Sequence, residues 1–224
     1  MSSSRSRAEE QTMRRAWSGE LVSIALVILT GLLLFSDSRT AVAAPRLILD
    51  DSVARDLRAV ADGTWGRFLS VFRARAGCFG DVRLAAASEL SSRAAYDPAT
   101  ATVTIRVPAT AVMLQGALIH EWAHHIEFQC RAHRELKPIF LAAQGLPADT
   151  PWRTDYGPAN TPESDWAGIP SEQYAEATIE LVLGRRQIPT TARVSPEAVR
   201  VIAEWASGHA GSFGFENNSS RQNE

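Results

Sequence analysis

The segment Ile119-His120-Glu121-Trp122-Ala123-His124-His125 is the most informative in the chain, and the rest is best read outward from it. Around it Leu114, Leu118, Trp122 and Ile126 recur at helical spacing, which predicts a helix from Thr110 to about Arg131 with one apolar packing stripe. His120 and His124 fall one turn apart on a different face, where both imidazoles can reach one ion. Glu121 is the next residue round the helix. Its carboxylate can lie beside a fourth coordination position and take a proton from a metal-bound water. A buried histidine pair satisfied by core hydrogen bonds is the plainer alternative. The placement of Glu121 and the scarcity of histidine, five in 224 residues, favour the metal.

Immediately upstream, Ala94-Ala95-Tyr96, a turn at Asp97-Pro98-Ala99-Thr100, and Thr102 to Val107 predict a β-hairpin. In its second arm Val103, Ile105 and Val107 alternate with Thr and Arg, giving one buried and one exposed face. A strand leading straight into a metal-binding helix is expected to offer an edge to an extended peptide; a purely structural hairpin is the alternative. Residues 82–87 predict a further strand. Before it, Asp51 or Ser52 is expected to cap a first helix carrying Val53, Leu57 and Val60, which Gly63 and Gly66 loosen. Trp65, Phe68, Leu69 and Phe72 continue the helical spacing as core aromatics.

The N-terminus reads as export machinery. Arg14 and Arg15 precede an apolar run, Leu21 to Phe35, and Ala41-Val42-Ala43 supplies a small-x-small cleavage pattern. The run falls short of the roughly 20 residues of a membrane span. Residues 1–44 are therefore expected to be a signal peptide or an uncleaved signal anchor, placing the rest outside the cytoplasm and leaving a possible N-terminal membrane tether. In that setting Cys78 and Cys130 are expected to form a disulfide, with two unpaired cysteines as the alternative. A formal net charge of −2 and no basic stripe argue against nucleic acid as a partner.

Downstream, residues 144–170 lack periodicity and predict a long loop. Pro170 to about Leu183, stopped by Gly184, predicts a helix, and Ser195-Pro196-Glu197 opens a last one docked by Val199, Ile202 and Trp205. The mature domain is expected to span 45–210, with a disordered polar tail at 211–224.

A catalytic zinc wants three protein ligands and one open position. A metzincin pattern is rejected, because it needs Gly at 127 and His at 130, where Glu127 and Cys130 stand. His125 and His133 read as ordinary surface or core histidines. Glu172 and Glu176, one turn apart on the later helix, present two carboxylates along one face. One can bind metal while the other fixes the tautomer of a histidine ligand. The alternative for Glu176 is a plain surface charge.

On these residues the chain resembles the gluzincins, and most closely the secreted metallopeptidases typified by the catalytic domain of anthrax lethal factor. In that family His-Glu-x-x-His is followed by a Tyr-Gly pair and then a Glu-aromatic-aromatic-Ala-Glu segment. Here His120-Glu121-Trp122-Ala123-His124 is followed by Tyr156-Gly157 and Glu172-Gln173-Tyr174-Ala175-Glu176. The resemblance covers about residues 110–185. It implies an α+β, zincin-like fold, Zn2+ held by His120, His124 and Glu172, Glu121 as general base, and Tyr156 as a hydroxyl stabilising the oxyanion. The stretch between Tyr156 and Glu172 is longer than the family pattern. The large delivery portions of the toxin are absent, so toxin function does not carry over. A rival third ligand is Asp155, since Thr154-Asp155-Tyr156-Gly157 echoes part of an aspzincin segment. The expected activity is hydrolysis of peptide bonds in a peptide or protein substrate. A non-catalytic exported zinc-binding protein is the alternative from a different class, and hydrolysis of non-peptide amides at the same zinc a third.

Overall fold

The computed structural model describes residues 43–153 and 166–209. The expectations for the signal or anchor segment, Asp155, Tyr156 and the tail fall outside the described residues. In chain order the elements are β1 (Leu47–Leu49), α1 (Arg55–Val71), a 3-10 turn (Arg73–Cys78), β2 (Val82–Ala87), β3 (Ala94–Asp97), β4 (Thr102–Arg106), α2 (Ala111–Gln129), α3 (His133–Ala143), α4 (Pro170–Leu183) and α5 (Pro196–Ala206). The chain is thus α+β, with a small mixed sheet and helices packed against it. Among the described residues no helix is long and apolar enough to cross a membrane.

The sheet order is β1-β2-β4-β3. β1, β2 and β4 run parallel, with α1 making the crossover from β1 to β2, and β3 lies antiparallel on β4 as one edge. Val82, Leu84, Val103 and Ile105 are almost fully buried, as the alternation in the second hairpin arm requires. One expectation is corrected. β4, the strand leading into α2, has neighbours on both sides, so its backbone groups are already paired and cannot take up a peptide. Among the described residues, the unpaired edge on that side of the sheet belongs to β3.

The start of α1 also differs from expectation. Ala54 is its N-cap, without a side-chain hydrogen bond, because the helix begins at Arg55, beyond the reach of Asp51 and Ser52 as caps. Asp50 Oδ1 accepts from the Ser52 amide at 2.9 Å, and Ser52 Oγ accepts from the Ala86 amide at 3.0 Å, tying the turn to β2. Gly63 and Gly66 lie within one unbroken helix. A mid-helix glycine costs about 1 kcal/mol relative to alanine, but the buried face of Ala61, Thr64, Trp65 and Phe68 holds α1 against the core.

α2 runs through the middle of the domain, in contact with α1, α4, β3 and β4. Thr110 Oγ1 caps it by accepting from the Met113 amide. Leu114, Leu118, Trp122 and Ile126 are buried to within 1%. The Trp122 ring packs 4.9 Å from Trp65 and 5.5 Å from Phe68, centroid to centroid. This aromatic cluster fixes the rotation of α2 about its axis, and so decides where the two histidines point.

Cys78 and Cys130 are joined, tying the end of the 3-10 turn to the C-cap of α2. For a closed loop of 52 residues the chain-entropy relation gives about 4 kcal/mol of stabilisation. The double substitution Cys78→Ser/Cys130→Ser should therefore lower the unfolding free energy in urea by a few kcal/mol; a change below 1 kcal/mol would contradict this.

α3 forms although Pro138, a residue that disfavours helix interiors, sits inside it. Its buried face, Leu136, Phe140 and Leu141, anchors it. His133 at its start is fully buried against Tyr174, Trp152 and Trp205, with ring centroids 4.6, 5.7 and 5.8 Å away. Neither ring nitrogen has a hydrogen-bond partner among the described residues. Burial pushes its pKa down to about 3, so the ring is neutral in the fold. As pH falls from about 6.5, the unfolded chain takes up this proton and the folded chain does not. Stability is then lost at up to about 1.4 kcal/mol per pH unit until the folded pKa is reached. His133→Phe should remove this slope, measured as unfolding free energy at pH 7 and pH 5 with chelator present. Equal pH dependence in both proteins would contradict the assignment.

Candidate metal centre

Packing of α4 across α2 sets Glu172 and Glu176 opposite His120 and His124. Glu172 lies in the first turn of α4, where Pro170 opens the helix and the helix dipole favours a carboxylate. Three atoms of metal-ligand type converge there. His120 Nε2 lies 3.0 Å from Glu172 Oε2, His124 Nε2 lies 3.5 Å from the same oxygen, and the two Nε2 atoms are 3.2 Å apart. A tetrahedral ion at the usual 2.0–2.1 Å from each donor spaces its donors about 3.3–3.4 Å apart. The three residues are buried, with 6–9% of their surface exposed. They form a His-His-Glu group that can hold a metal ion.

The far side of each ring supports that reading. His120 Nδ1 meets Glu176 Oε1 at 3.1 Å, and His124 Nδ1 meets Glu127 Oε2 at 3.3 Å. When Nδ1–H donates to these carboxylates, both Nε2 lone pairs face inward beside Glu172. Three such acceptors repel one another unless a cation sits between them. Arg153 Nη2 lies 3.0 Å from His124 Nδ1. A guanidinium can only donate, so that contact belongs to the other tautomer, with the proton on Nε2. A metal at Nε2 selects the donor tautomer toward Glu127.

Charge distribution points the same way. Burial disfavours a charged ring at His120, but the hydrogen bond to Glu172 and the charges of Glu121 and Glu172 outweigh it and raise its pKa. At His124, burial is likewise outweighed by Glu127 and Glu172. Burial opposes ionisation of Glu172, yet hydrogen bonds from both histidines hold its carboxyl far below the usual carboxylate range.

Glu121 is buried on α2 beside His120, with 8% of its surface exposed. Among the described residues it has no hydrogen bond, in contrast to Glu127, Glu172 and Glu176, which are each engaged. Glu176 is not a surface charge: its side chain is 4% exposed and pairs with Arg186 as well as His120. His125 is a core histidine. Its Nε2 meets the Gly80 carbonyl at 3.3 Å, so it carries the proton, and Nδ1 at 2.9 Å accepts from the Tyr96 hydroxyl.

Several neighbours escaped the sequence reading. Glu127 accepts from Trp152 Nε1 at 2.8 Å and from Arg153 at 2.8 and 2.6 Å, with Lys137 Nζ at 3.7 Å. Despite burial, the hydrogen bonds of His124 and Arg153 hold its pKa down to about 2. Trp166 stacks on His120, centroids 5.9 Å apart and planes 20° apart. The spacing does mark Glu127, which falls about one turn beyond His124 on the same helix. The chain matches no family model, no curated protein and no solved structure.

Proposed function

We propose that the protein is an exported zinc metallopeptidase with a zincin-like fold. The observation that carries this reading is the convergence of His120 Nε2, His124 Nε2 and Glu172 Oε2 within 3.5 Å of one another, with the charge of Glu121 felt at His120 and its carboxylate without a hydrogen bond among the described residues. A purely structural site closes with a fourth protein ligand and has no use for a neighbouring base; no fourth ligand joins the group among the described residues. The order of elements also supports it: a mixed sheet with an antiparallel edge strand, the His-Glu-x-x-His helix, then the helix bearing Glu172. Export is supported by the N-terminal apolar run and by the disulfide, which persists in oxidising compartments.

A zinc ion held there would supply Lewis acidity and a water of lowered pKa. His120, His124 and Glu172 would hold the ion, while Glu176 and Glu127 keep the two rings in the ligating tautomer. Glu121 serves as general base toward the attacking water and then delivers the proton to the leaving amine. The free edge of β3 offers backbone groups for pairing with an extended peptide. Tyr156 is assigned, from the family resemblance, as the donor to the oxyanion.

The test is digestion of a mixed peptide library by the purified protein, followed by mass spectrometry. Cleavage is expected, abolished by chelator and restored by one equivalent of Zn2+. One equivalent of bound zinc with an intact library would instead favour a zinc-binding module.

A further inference from the structure

Each ligand histidine sits at the inner end of a three-part chain. His124 meets Glu127, and Glu127 meets Arg153; His120 meets Glu176, and Glu176 meets Arg186. The two arginines come from separate parts of the sequence. Arg153 lies beyond α3, and Arg186 lies two residues past Gly184, whose left-handed backbone (φ 75°) ends α4 and turns the chain. We propose that Arg153 and Arg186 are positioning residues that set the metal affinity of the site, each by locking the carboxylate that orients one histidine ligand.

The proposal rests on the reading of His120, His124 and Glu172 as metal ligands. Its physical basis is geometric. A glutamate side chain has three rotatable bonds, and its carboxylate keeps a histidine in one tautomer and one orientation only if it is itself held still. Arg153 holds Glu127 with both prongs, Nε on Oε1 at 2.8 Å and Nη2 on Oε2 at 2.6 Å. Such a fork fixes the carboxylate plane as a single ammonium cannot. Trp152 Nε1 adds a third donor to Oε1 at 2.8 Å. The guanidinium is in turn seated on Phe128, 4.4 Å from the ring centroid. On the other side Arg186 is 19% exposed over a Glu176 side chain that is 4% exposed. Neither arginine is in contact with the converging Nε2 and Oε2 atoms; Arg186 acts through Glu176, and Arg153 acts through Glu127 once His124 Nδ1 carries the proton, since its own 3.0 Å contact with Nδ1 belongs to the other tautomer.

Charge alone makes the opposite forecast. Removing a cation from the neighbourhood of a divalent ion strengthens that ion's binding. The sign of the effect therefore separates positioning from electrostatics.

The test measures Zn2+ affinity by competition with a chromophoric chelator for the full mature chain and for Arg153→Gln, Arg186→Gln and Arg153→Lys. Thermal midpoints are taken with chelator present, and visible spectra with Co2+ in place of zinc. Each Gln variant is expected to bind zinc roughly 10–100-fold more weakly, with a shifted Co2+ spectrum and a metal-free midpoint within a few degrees of the parent. Arg153→Lys keeps the charge but not the fork, and is expected not to restore affinity. Equal or tighter binding by the Gln variants would overturn the proposal. So would a loss of metal-free stability that accounts for the weaker binding, or full recovery in Arg153→Lys. If the parent chain itself binds no zinc, the ligand assignment fails rather than the role of the arginines.

Discussion

Glu172→Gln is expected to abolish stoichiometric metal binding while leaving the fold intact. The substitution keeps the size of the side chain and removes its charge. The carboxylate it replaces is the oxygen on which both Nε2 atoms converge. The loss of affinity should exceed the roughly 10–100-fold penalty for losing an outer partner of a metal ligand. In the metal-free protein both histidines donate to this carboxylate, so its neutralisation removes favourable contacts, while an amide of the same size still fills the site and accepts a hydrogen bond. Its thermal midpoint in chelator should fall by no more than a few degrees. Asp155→Asn, in contrast, should leave metal binding unchanged. Loss of zinc in Asp155→Asn with retention in Glu172→Gln would transfer the third ligand to Asp155.

Glu121→Gln is expected to separate binding from chemistry. Glu121 takes no part in the converging group, so zinc affinity should stay within a few-fold of the parent. Removal of a general base costs roughly 10²–10⁴-fold in turnover, and peptide cleavage should fall by that order. Comparable turnover by Glu121→Gln would remove it from the mechanism, and loss of zinc along with activity would make it a ligand. Read together, the two variants assign different functions to carboxylates that both lie buried on facing helices.

Much of this arrangement was legible in one dimension because it rests on spacing. His120, Glu121 and His124 are rare types at a fixed offset, and Glu172 and Glu176 repeat the one-turn interval. The hairpin from Ala94 to Arg106 showed itself through alternation and its Asp-Pro turn, and the cysteine pair through parity. What stayed hidden depends on contacts between distant segments. Arg153 and Arg186 are two of many arginines in a chain whose only lysine is Lys137, and nothing local marks them. Their importance appears only when Glu127 and Glu176 are seen behind the rings. The cap of α1 misled for a similar reason: Ser52 is a good capping residue, but the helix begins only at Arg55, and the Ser52 hydroxyl serves the Ala86 amide across the chain. α3 was masked by Pro138, whose helix-breaking tendency is overcome by burial of Leu136, Phe140 and Leu141. That β4 is an inner strand, and β3 the edge, follows from the β2–β4 pairing, which no local pattern encodes.

The most direct test of the account is zinc K-edge X-ray absorption on the protein loaded with one equivalent of Zn2+. The expected result is a first shell of nitrogen and oxygen only, at about 2.0–2.1 Å, with the outer scattering of two imidazoles. That pattern should survive Asp155→Asn and be lost in Glu172→Gln. A first shell containing sulfur, a different number of imidazoles, or a spectrum unaffected by Glu172→Gln would contradict a centre built from His120, His124 and Glu172.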